Sequence, residues 1–426
     1  MSSPSGLSKE SSLDTWLAWQ EQSHTTEIDL GLERVSAVFQ RLKTHSHAPK
    51  YTITVAGTNG KGSCVALFES ILIAAGYRVG VYSTPHLTRY NERVRINGEP
   101  VSNDLLTQAF EQIDLARTDI SLSYFEFGTL AALTIFADQS TDIQILEVGL
   151  GGRLDAVNIV DANAVLISSI SVDHIDWLGD DLNKIALEKS GVFRTKQQAV
   201  CGDENVPKSL LHHASELGTD LLLAGKDFSI SIRKEGWNLN AQHSLRGSYP
   251  LPGLKGVHQI QNAAAVISLL AHISTDILVS KAAITAGLQH VALKGRLQQV
   301  NSHPDVFLDV AHNAESAGAL AKFINETSYT GQLHAVFSIL ADKQVAEVVE
   351  PFKDLVDQWY IAPLSSKRSE SVESLDTLLS NHSSRKCSQY DSIQEAFKSA
   401  LKRAGDEDIV ICFGSFFVVE ACLEAL

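Results

Sequence analysis

Two spacings of apolar residues alternate along this chain: short β-branched runs with a period of two, and longer stretches with apolar positions three or four apart. Residues 51–55 alternate Thr and Ile like a strand. A glycine-rich turn follows, and then an amphipathic helix from about residue 62. Residues 13–19 and 31–43 read as helices ahead of it. Short apolar strands are expected at 78–82, 142–147 and 164–169, and a helix over 182–190 stops at Gly191. Residues 199–225 repeat a strand, helix and strand, and 228–249 alternate like an antiparallel hairpin. Pro252 and Gly253 break the chain before a helix that begins near His258, and a second helix covers 280–290. After Lys294, Gly295 and Arg296 the pattern restarts, with strands expected at 306–310, 333–339, 358–362 and 408–413. Strand and helix in alternation predict an α/β protein of two domains, 1–295 and 296–426, each built on a parallel-rich sheet.

The chemistry concentrates at the turn after the first strand. Gly57, Gly60 and Gly62 free the backbone to aim its N–H groups at an anion, at the positive end of the following helix. Lys61 adds a mobile charge for a phosphate, and Ser63 a hydroxyl for a metal ion. The Walker pattern is matched imperfectly, since Val55 stands where its first glycine belongs and Gly62 separates Lys61 from Ser63. A tight turn is the plain alternative, but strand, loop and helix all stand in the order a phosphate cradle needs.

In an open parallel sheet, ligands collect beyond the carboxyl ends of the strands, so Lys61, Ser83, Glu147 and His174 are expected to converge. Ser83, Glu147 and His174 are then candidate magnesium ligands, with Glu147 foremost because Mg²⁺ prefers hard oxygen donors. Taken singly, Glu147 also reads as a turn cap and His174 as a hydrogen-bonded loop residue. Gly149, Gly151 and Gly152 lack the GxGxxG spacing and the helix of a dinucleotide site. Residues 88–102, with Arg89, Arg93 and Arg95, read as a mobile loop and hairpin whose charges are solvated. By spacing alone Lys189 is a helix-end cation. In the second half Asp309, His312 and Asn313 sit at a strand end and form a site candidate, with a helix N-cap the other reading of Asn313.

Composition narrows the class of partner. The 426 residues are 44% hydrophobic and 20% charged, as in an ordinary globular protein, and the net charge of -15 argues against a general nucleic-acid surface. Cys64, Cys201, Cys387, Cys412 and Cys422 are scattered without a CxxC pair, which points to a reducing compartment and no structural zinc. The N-terminus lacks a basic n-region, and no apolar stretch reaches the ~18 residues of a membrane span. A cytoplasmic enzyme with neither nucleic-acid nor membrane partners is expected.

Together GTNGKGS at 57–63, YSTPHL at 82–87, LEVGLGGRLDAVN at 146–158, DHIDWLG at 173–179, EKSG at 188–191, GR at 295–296 and DVAHN at 309–313 resemble the folylpolyglutamate synthases of the Mur ligase superfamily. DLGLERV at 29–35 and ISLSYFEFGT at 120–129 further resemble the bifunctional bacterial members, which also act as dihydrofolate synthases. The resemblance implies an N-terminal ATPase domain with a phosphate loop of Mur-ligase type and a smaller, Rossmann-like C-terminal domain. It implies that Thr58, Asn59, Gly60, Lys61, Gly62 and Ser63 hold the ATP phosphates, with Asn262, Arg296 and Asp309 completing the nucleotide site. Ser83, Glu147 and His174 match the family's magnesium positions. Lys189 matches a lysine that is carbamylated there and serves a second magnesium, which replaces its helix-end reading. Asp29, Leu30, Gly31, Leu32, Ser123, Tyr124, Phe125, Glu126 and Asp155 correspond to contacts with the pterin substrate, and His312 to a residue near glutamate or phosphate. The implied reaction joins L-glutamate to dihydropteroate, and further glutamates to folates, through an acyl phosphate made from ATP. Lys61, Lys189 and His312 are the implied catalytic residues, and the enzyme is expected to be a monomer. A monofunctional folylpolyglutamate synthase and another Mur-type amino-acid ligase are the alternatives.

Overall fold

The computed structural model describes residues 4–26, 28–42, 48–382 and 386–426. The chain divides into two compact units. The first comprises Met1–Val172, Asp180–Gly253 and Ile260–Val291; the second comprises Asp173–Gly179, Leu254–Gln259 and Ala292–Leu426. Two short segments from the earlier half, 173–179 and 254–259, therefore group with the later one.

In the first unit, β1 (Tyr51–Ala56) sits inside an eight-stranded sheet with β2 (Val79–Tyr82), β3 (Val94–Ile96), β4 (Glu99–Pro100), β5 (Ile143–Glu147), β6 (Ala164–Ile167), β7 (Gln198–Cys201) and β8 (Asp220–Leu223). The order is β4-β3-β2-β5-β1-β6-β7-β8, and only β3 runs against the others, pairing antiparallel with both β2 and β4. The alternation of Thr and Ile in β1 implies one polar face, yet all six of its residues are buried. A central parallel strand is covered on both sides, and the Thr52 hydroxyl is satisfied inside by the Gln144 amide at 2.8 Å. The register aligns Val55 with Glu147, and Tyr82 with Leu146. Ser83, Glu147 and Gly57 consequently emerge at one edge of the sheet.

Residues 88–102 correct the loop reading. They form a 3-10 turn and the β3–β4 hairpin on the sheet, and Arg93 and Arg95 are drawn inward while Arg89 stays exposed as expected. Arg95 pairs with Glu69 at 2.8 Å, with side chains only 14% and 9% exposed. Arg93 lies over the rings of Tyr90 and Tyr124 at 5.4 and 5.3 Å. A small antiparallel sheet, β9 (Phe228–Arg233), β10 (Gly236–Ala241) and β11 (Gly247–Tyr249), also belongs to this unit, as the alternation predicts.

The second unit carries a six-stranded sheet of β12 (Gln298–Ser302), β13 (Asp305–Leu308), β14 (Leu333–Phe337), β15 (Gln358–Ile361), β16 (Lys386–Gln389) and β17 (Ile409–Phe413), in the order β12-β13-β17-β14-β15-β16. Only β12 is antiparallel. Aromatic rings fill its core, with Phe413 4.9 Å from Phe337 and 4.6 Å from Phe352 between centroids. Among the described residues no helix is long and apolar enough to cross a membrane.

Candidate active site

The turn after β1 is built for an anion. Gly57 and Gly60 take φ values of 139° and 82°, which side-chain-bearing residues avoid. A Cβ on Gly57 would stand 2.9 Å from the Ser168 amide nitrogen, and one on Gly60 2.7 Å from the Asn262 side-chain oxygen. Gly60 is also the N-cap of the helix Lys61–Ala74 and supplies no side-chain cap, so the positive end of that helix dipole adjoins the loop. Asn262 thus lies directly over the loop, brought there by the helix Val257–His272.

Two lysines meet at the same carbonyl. Lys61 Nζ donates to the Gly57 and Thr58 oxygens, each at 3.1 Å, and Lys189 Nζ donates to the Gly57 oxygen at 2.9 Å. Lys189 is only 4% exposed and occupies the last turn of the helix Leu182–Ser190. The geometry overturns the helix-end reading, because a cation serving the dipole has no need of burial against a phosphate loop. Glycine explains how that helix reaches so far. A Cβ on Gly152 would sit 2.8 Å from the carbonyls of both Glu188 and Lys189, and the Arg153 amide donates to the Glu188 carbonyl at 2.9 Å. The glycine run at 149–152 serves close backbone approach, not a dinucleotide.

Thr58 and Asn59 are held by the loop after β6: the Thr58 hydroxyl donates to the Ser171 carbonyl at 3.0 Å, and the Asn59 amide to Ser169 Oγ at 3.1 Å. The Ser63 hydroxyl is buried and has no hydrogen-bond partner in the protein. A buried orphan hydroxyl costs stability unless something else meets it, and its place one turn into the helix suits a phosphate-bound metal ion.

Ser83 and Glu147 lie at the ends of neighbouring strands. The Thr84 amide donates to Glu147 Oε2 at 3.2 Å, and Arg95 donates to Ser83 Oγ at 3.0 Å. His174, the third expected ligand, belongs to the second unit. It has φ 54°, a 40% exposed side chain, and its Nε2 lies 4.0 Å from Asp173. No group of three or more His, Cys, Asp or Glu among the described residues is placed to hold a metal. Mg²⁺ does not require such a cage, being held commonly by one or two carboxylates and substrate phosphates, so a hydroxyl, a carboxylate and a phosphate loop fit it.

The segments expected at the pterin converge within the first unit. The Gly31 amide donates to the Leu154 carbonyl at 3.3 Å, and a Cβ on Gly149 would stand 2.8 Å from the Phe125 ring and 3.3 Å from the Asp155 carboxylate. Tyr82 and Phe125 have ring centroids 5.8 Å apart, and Tyr90 packs edge-on to Tyr124 at 5.6 Å. Ser123 caps the helix Tyr124–Asp138 and forms a capping box with Glu126. Leu30 and Leu32 flank Gly31 in the same loop and are half-buried. Asp155 is 2% exposed and accepts from the amides of Gly149, Leu150 and Val157 at 2.8 to 3.0 Å. Burial pushes its carboxyl up to about 6, against those hydrogen bonds and the charge of Lys61.

Two residues that spacing does not single out join this cluster. Arg34 contacts Asp29 Oδ2 at 2.9 Å and Glu126 Oε1 at 3.2 Å, and His24 contacts the same Asp29 oxygen at 3.0 Å. Arg34 stands inside DLGLERV, where it reads as one more charge at a helix start.

In the second unit, Asp309 follows β13 and accepts from the Leu297 and Ala311 amides at 2.7 and 2.8 Å. Burial raises its carboxyl, with Arg296 opposing the shift, and burial likewise lowers His258 beside them. Arg296 lies over the Phe416 ring at 5.3 Å. His312, Asn313 and Lys343 gather on Asp173, at 3.5, 3.2 and 2.5 Å. Burial would raise Asp173, yet hydrogen bonding and charge from His312, with His174 and Lys343, hold it well below the ordinary carboxylate range. Asn313 also caps the helix Ala314–Glu326, as its N-cap reading expects.

Residues 55–270 match the Mur ligase middle domain, and residues 295–416 match the glutamate ligase domain of Mur ligases. The dihydrofolate synthase/folylpolyglutamate synthase of Escherichia coli (strain K12) is 42% identical over 416 residues, covering 98% of this chain and 96% of its own. Among solved structures, E. coli FolC in complex with DHPP and ADP superposes with a TM-score of 0.91 at 40% identity over 98% of both chains. A bifunctional folylpolyglutamate synthase/dihydrofolate synthase with Mn, AMPPNP and L-glutamate bound gives 0.90 at 41% identity, over 98% of this chain and 99% of its own.

Proposed function

The chain belongs to the dihydrofolate synthase/folylpolyglutamate synthase family of Mur ligases, and we infer from its residues how it carries out that family's reaction. It is an ATP-dependent carboxylate-amine ligase that joins L-glutamate to dihydropteroate and adds further glutamates to folates, with a divalent metal. The observation that carries the assignment of the site is the meeting of Lys61 and Lys189 at the Gly57 carbonyl, beside the glycine-capped N-terminus of the helix Lys61–Ala74.

A carboxylate is a poor acyl donor. Transfer of the γ-phosphoryl group of ATP to the substrate carboxylate gives an acyl phosphate and ADP; the glutamate amine then attacks the acyl carbon, phosphate leaves, and the amide forms with loss of a proton. Thr58, Asn59, Gly60, Lys61, Gly62 and Ser63 hold the phosphates, and Lys61 neutralises charge on the transferring group. Asn262 lies over the loop, and Arg296 and Asp309 are assigned to the nucleotide by their match to the family's motifs. Ser83, Glu147 and His174, with the orphan hydroxyl of Ser63, would hold magnesium. The metal supplies Lewis acidity and orientation of the phosphates. Lys189 is carbamylated, which turns a buried cation into an anion able to serve a second magnesium; its burial beside the loop supports this. Asp29, Leu30, Gly31, Leu32, Ser123, Tyr124, Phe125, Glu126 and Asp155 receive the pterin, and His312 acts near glutamate or phosphate. Residues 1–295 form the ATP-binding domain and 296–426 the ligase domain, consistent with the two matched Mur ligase segments. Five unpaired cysteines support a cytoplasmic location, and the protein acts as a monomer.

The direct test supplies dihydropteroate, L-glutamate and ATP and follows products by mass. One glutamyl addition with matching ADP and phosphate is expected, and successive additions when a tetrahydrofolate replaces dihydropteroate. Release of ADP without any glutamylated product would overturn the reading.

A further inference from the structure

Glu126 is 2% exposed, a carboxylate deep in the first unit. One of its oxygens accepts the Ser123 amide at 2.7 Å, closing the capping box of the helix Tyr124–Asp138. The other oxygen meets Arg34 at 3.2 Å. Helix start and guanidinium together neutralise a buried charge that would otherwise be costly. The same guanidinium reaches Asp29 twice, its carboxylate at 2.9 Å and its carbonyl at 3.0 Å. Arg34 therefore ties the loop of Asp29, Leu30, Gly31 and Leu32 to the N-terminus of the helix carrying Tyr124 and Phe125. Its Nε–H is buried without an acceptor, so the carboxylate contacts govern where the side chain sits.

A second tether holds the same loop. His24 is only 8% exposed; its Nε2 meets Asp29 Oδ2 at 3.0 Å, and its Nδ1 meets the Ser121 hydroxyl. Ser121 stands two residues before the capping Ser123. Two side chains from the N-terminal helices thus converge on one carboxylate, and each bridges to the segment 121–126. The hydrogen bonds and ion pairs of Arg34 and His24 fall on Asp29, Ser121 and Glu126.

The geometry points to Arg34 as a positioning residue for the dihydropteroate and folate site: it fixes the spacing of the two segments that flank the ring system, independently of nucleotide binding. This rests on the reading above that those segments receive the pterin. Arginine suits the task because its planar fork reaches two carboxylates and a carbonyl in a fixed geometry, whereas a lysine ammonium is a compact point charge without that reach.

The test measures KM for dihydropteroate, ATP and glutamate, with thermal unfolding and direct dihydropteroate binding by fluorescence, in Arg34→Gln and Arg34→Lys. Arg34→Gln is expected to raise the dihydropteroate KM and dissociation constant about tenfold, the scale of one lost charged contact, while KM for ATP stays within about twofold. Arg34→Lys, which keeps Glu126 neutralised and so preserves folding, is expected to recover only part of the affinity. Equal rises in KM for dihydropteroate and ATP alongside a lowered melting temperature would assign Arg34 to stability alone and overturn the inference. Unchanged dihydropteroate binding in both variants overturns it too. Phe125→Ala separates the two levels: if it weakens dihydropteroate binding while both Arg34 variants do not, the site reading stands and the positioning role falls. If Phe125→Ala also binds normally, the site itself lies elsewhere.

Discussion

Two regions of the first unit, assigned above to the phosphates and to the pterin, are built by opposite means. The phosphate loop is one continuous stretch, and its backbone presents the donors: glycines with φ values of 139° and 82° and a helix start with no side-chain cap. The pterin region is assembled from the loop at Asp29, the helix start at Ser123 and the turn at Asp155, and side chains hold it together. Backbone donors bind any phosphate with little tuning. A ring recognised by assembled side chains depends on each tie between its segments. Loss of a charge at the loop should therefore stop chemistry, and loss of a tie at the pterin region should change affinity.

The largest expected effect comes from Lys61→Ala. Its Nζ donates to the Gly57 and Thr58 carbonyls of the loop and is not part of the apolar core, so the fold should survive, with a melting temperature within a few degrees. Turnover should fall on the order of 10³-fold, as when a cation is removed from a transferring phosphoryl group. A variant that kept wild-type turnover would place the nucleotide elsewhere. Lys189 follows. Lys189→Arg should lose most activity because a guanidinium forms no carbamate, and Lys189→Ala should regain part of its turnover with added acetate but none with an alkylamine. Rescue by the amine instead would show that the cation is what the site uses.

The contrast between the regions also governs what can be read from sequence. The phosphate loop is legible because strand, glycines, lysine and helix are contiguous, and Ser83 and Glu147 because each closes a strand. Arg93 and Arg95 misread as solvated because their partners, Tyr124 and Glu69, come from other segments. Lys189 misreads for the same reason: its local place is a helix end, and only the folded chain brings it to Gly57. β12 and β16 escape notice because QQVNS and KCSQ are polar edge strands without an apolar period. Arg34 is hidden most deeply, since its role is defined by one carboxylate nearby, Asp29, and a second far away in sequence, Glu126.

Asp155→Asn probes the pterin region from its other side. The amide can keep one accepting oxygen for Val157 but loses the acceptor for Gly149 and Leu150. The dihydropteroate KM should rise about tenfold while KM for ATP moves little. That variant also removes a titration. A carboxyl raised to about 6 in the fold, from 3.8 when free, is protonated more readily in the native state. Its contribution to stability is fully present below about pH 4 and is lost as the pH rises to about 6.

The smallest effect separates two titrations that overlap. His86 accepts from Arg93 Nε at 2.8 Å through Nδ1, and burial with that neighbouring charge lowers it to about 4. A histidine held neutral takes up its proton in the unfolded chain first, so its contribution is present above about pH 6.5 and is lost as the pH falls towards 4. The slope opposes that of Asp155 over the same window, and the wild-type stability curve between pH 4 and 6 should look flatter than either group alone would make it. His86→Asn should expose the Asp155 slope, with unfolding free energy decreasing as pH rises. Asp155→Asn should expose the His86 slope, with the opposite sign. Denaturant unfolding of the two variants across that range measures both, and parallel curves would mean that neither group is shifted by its burial.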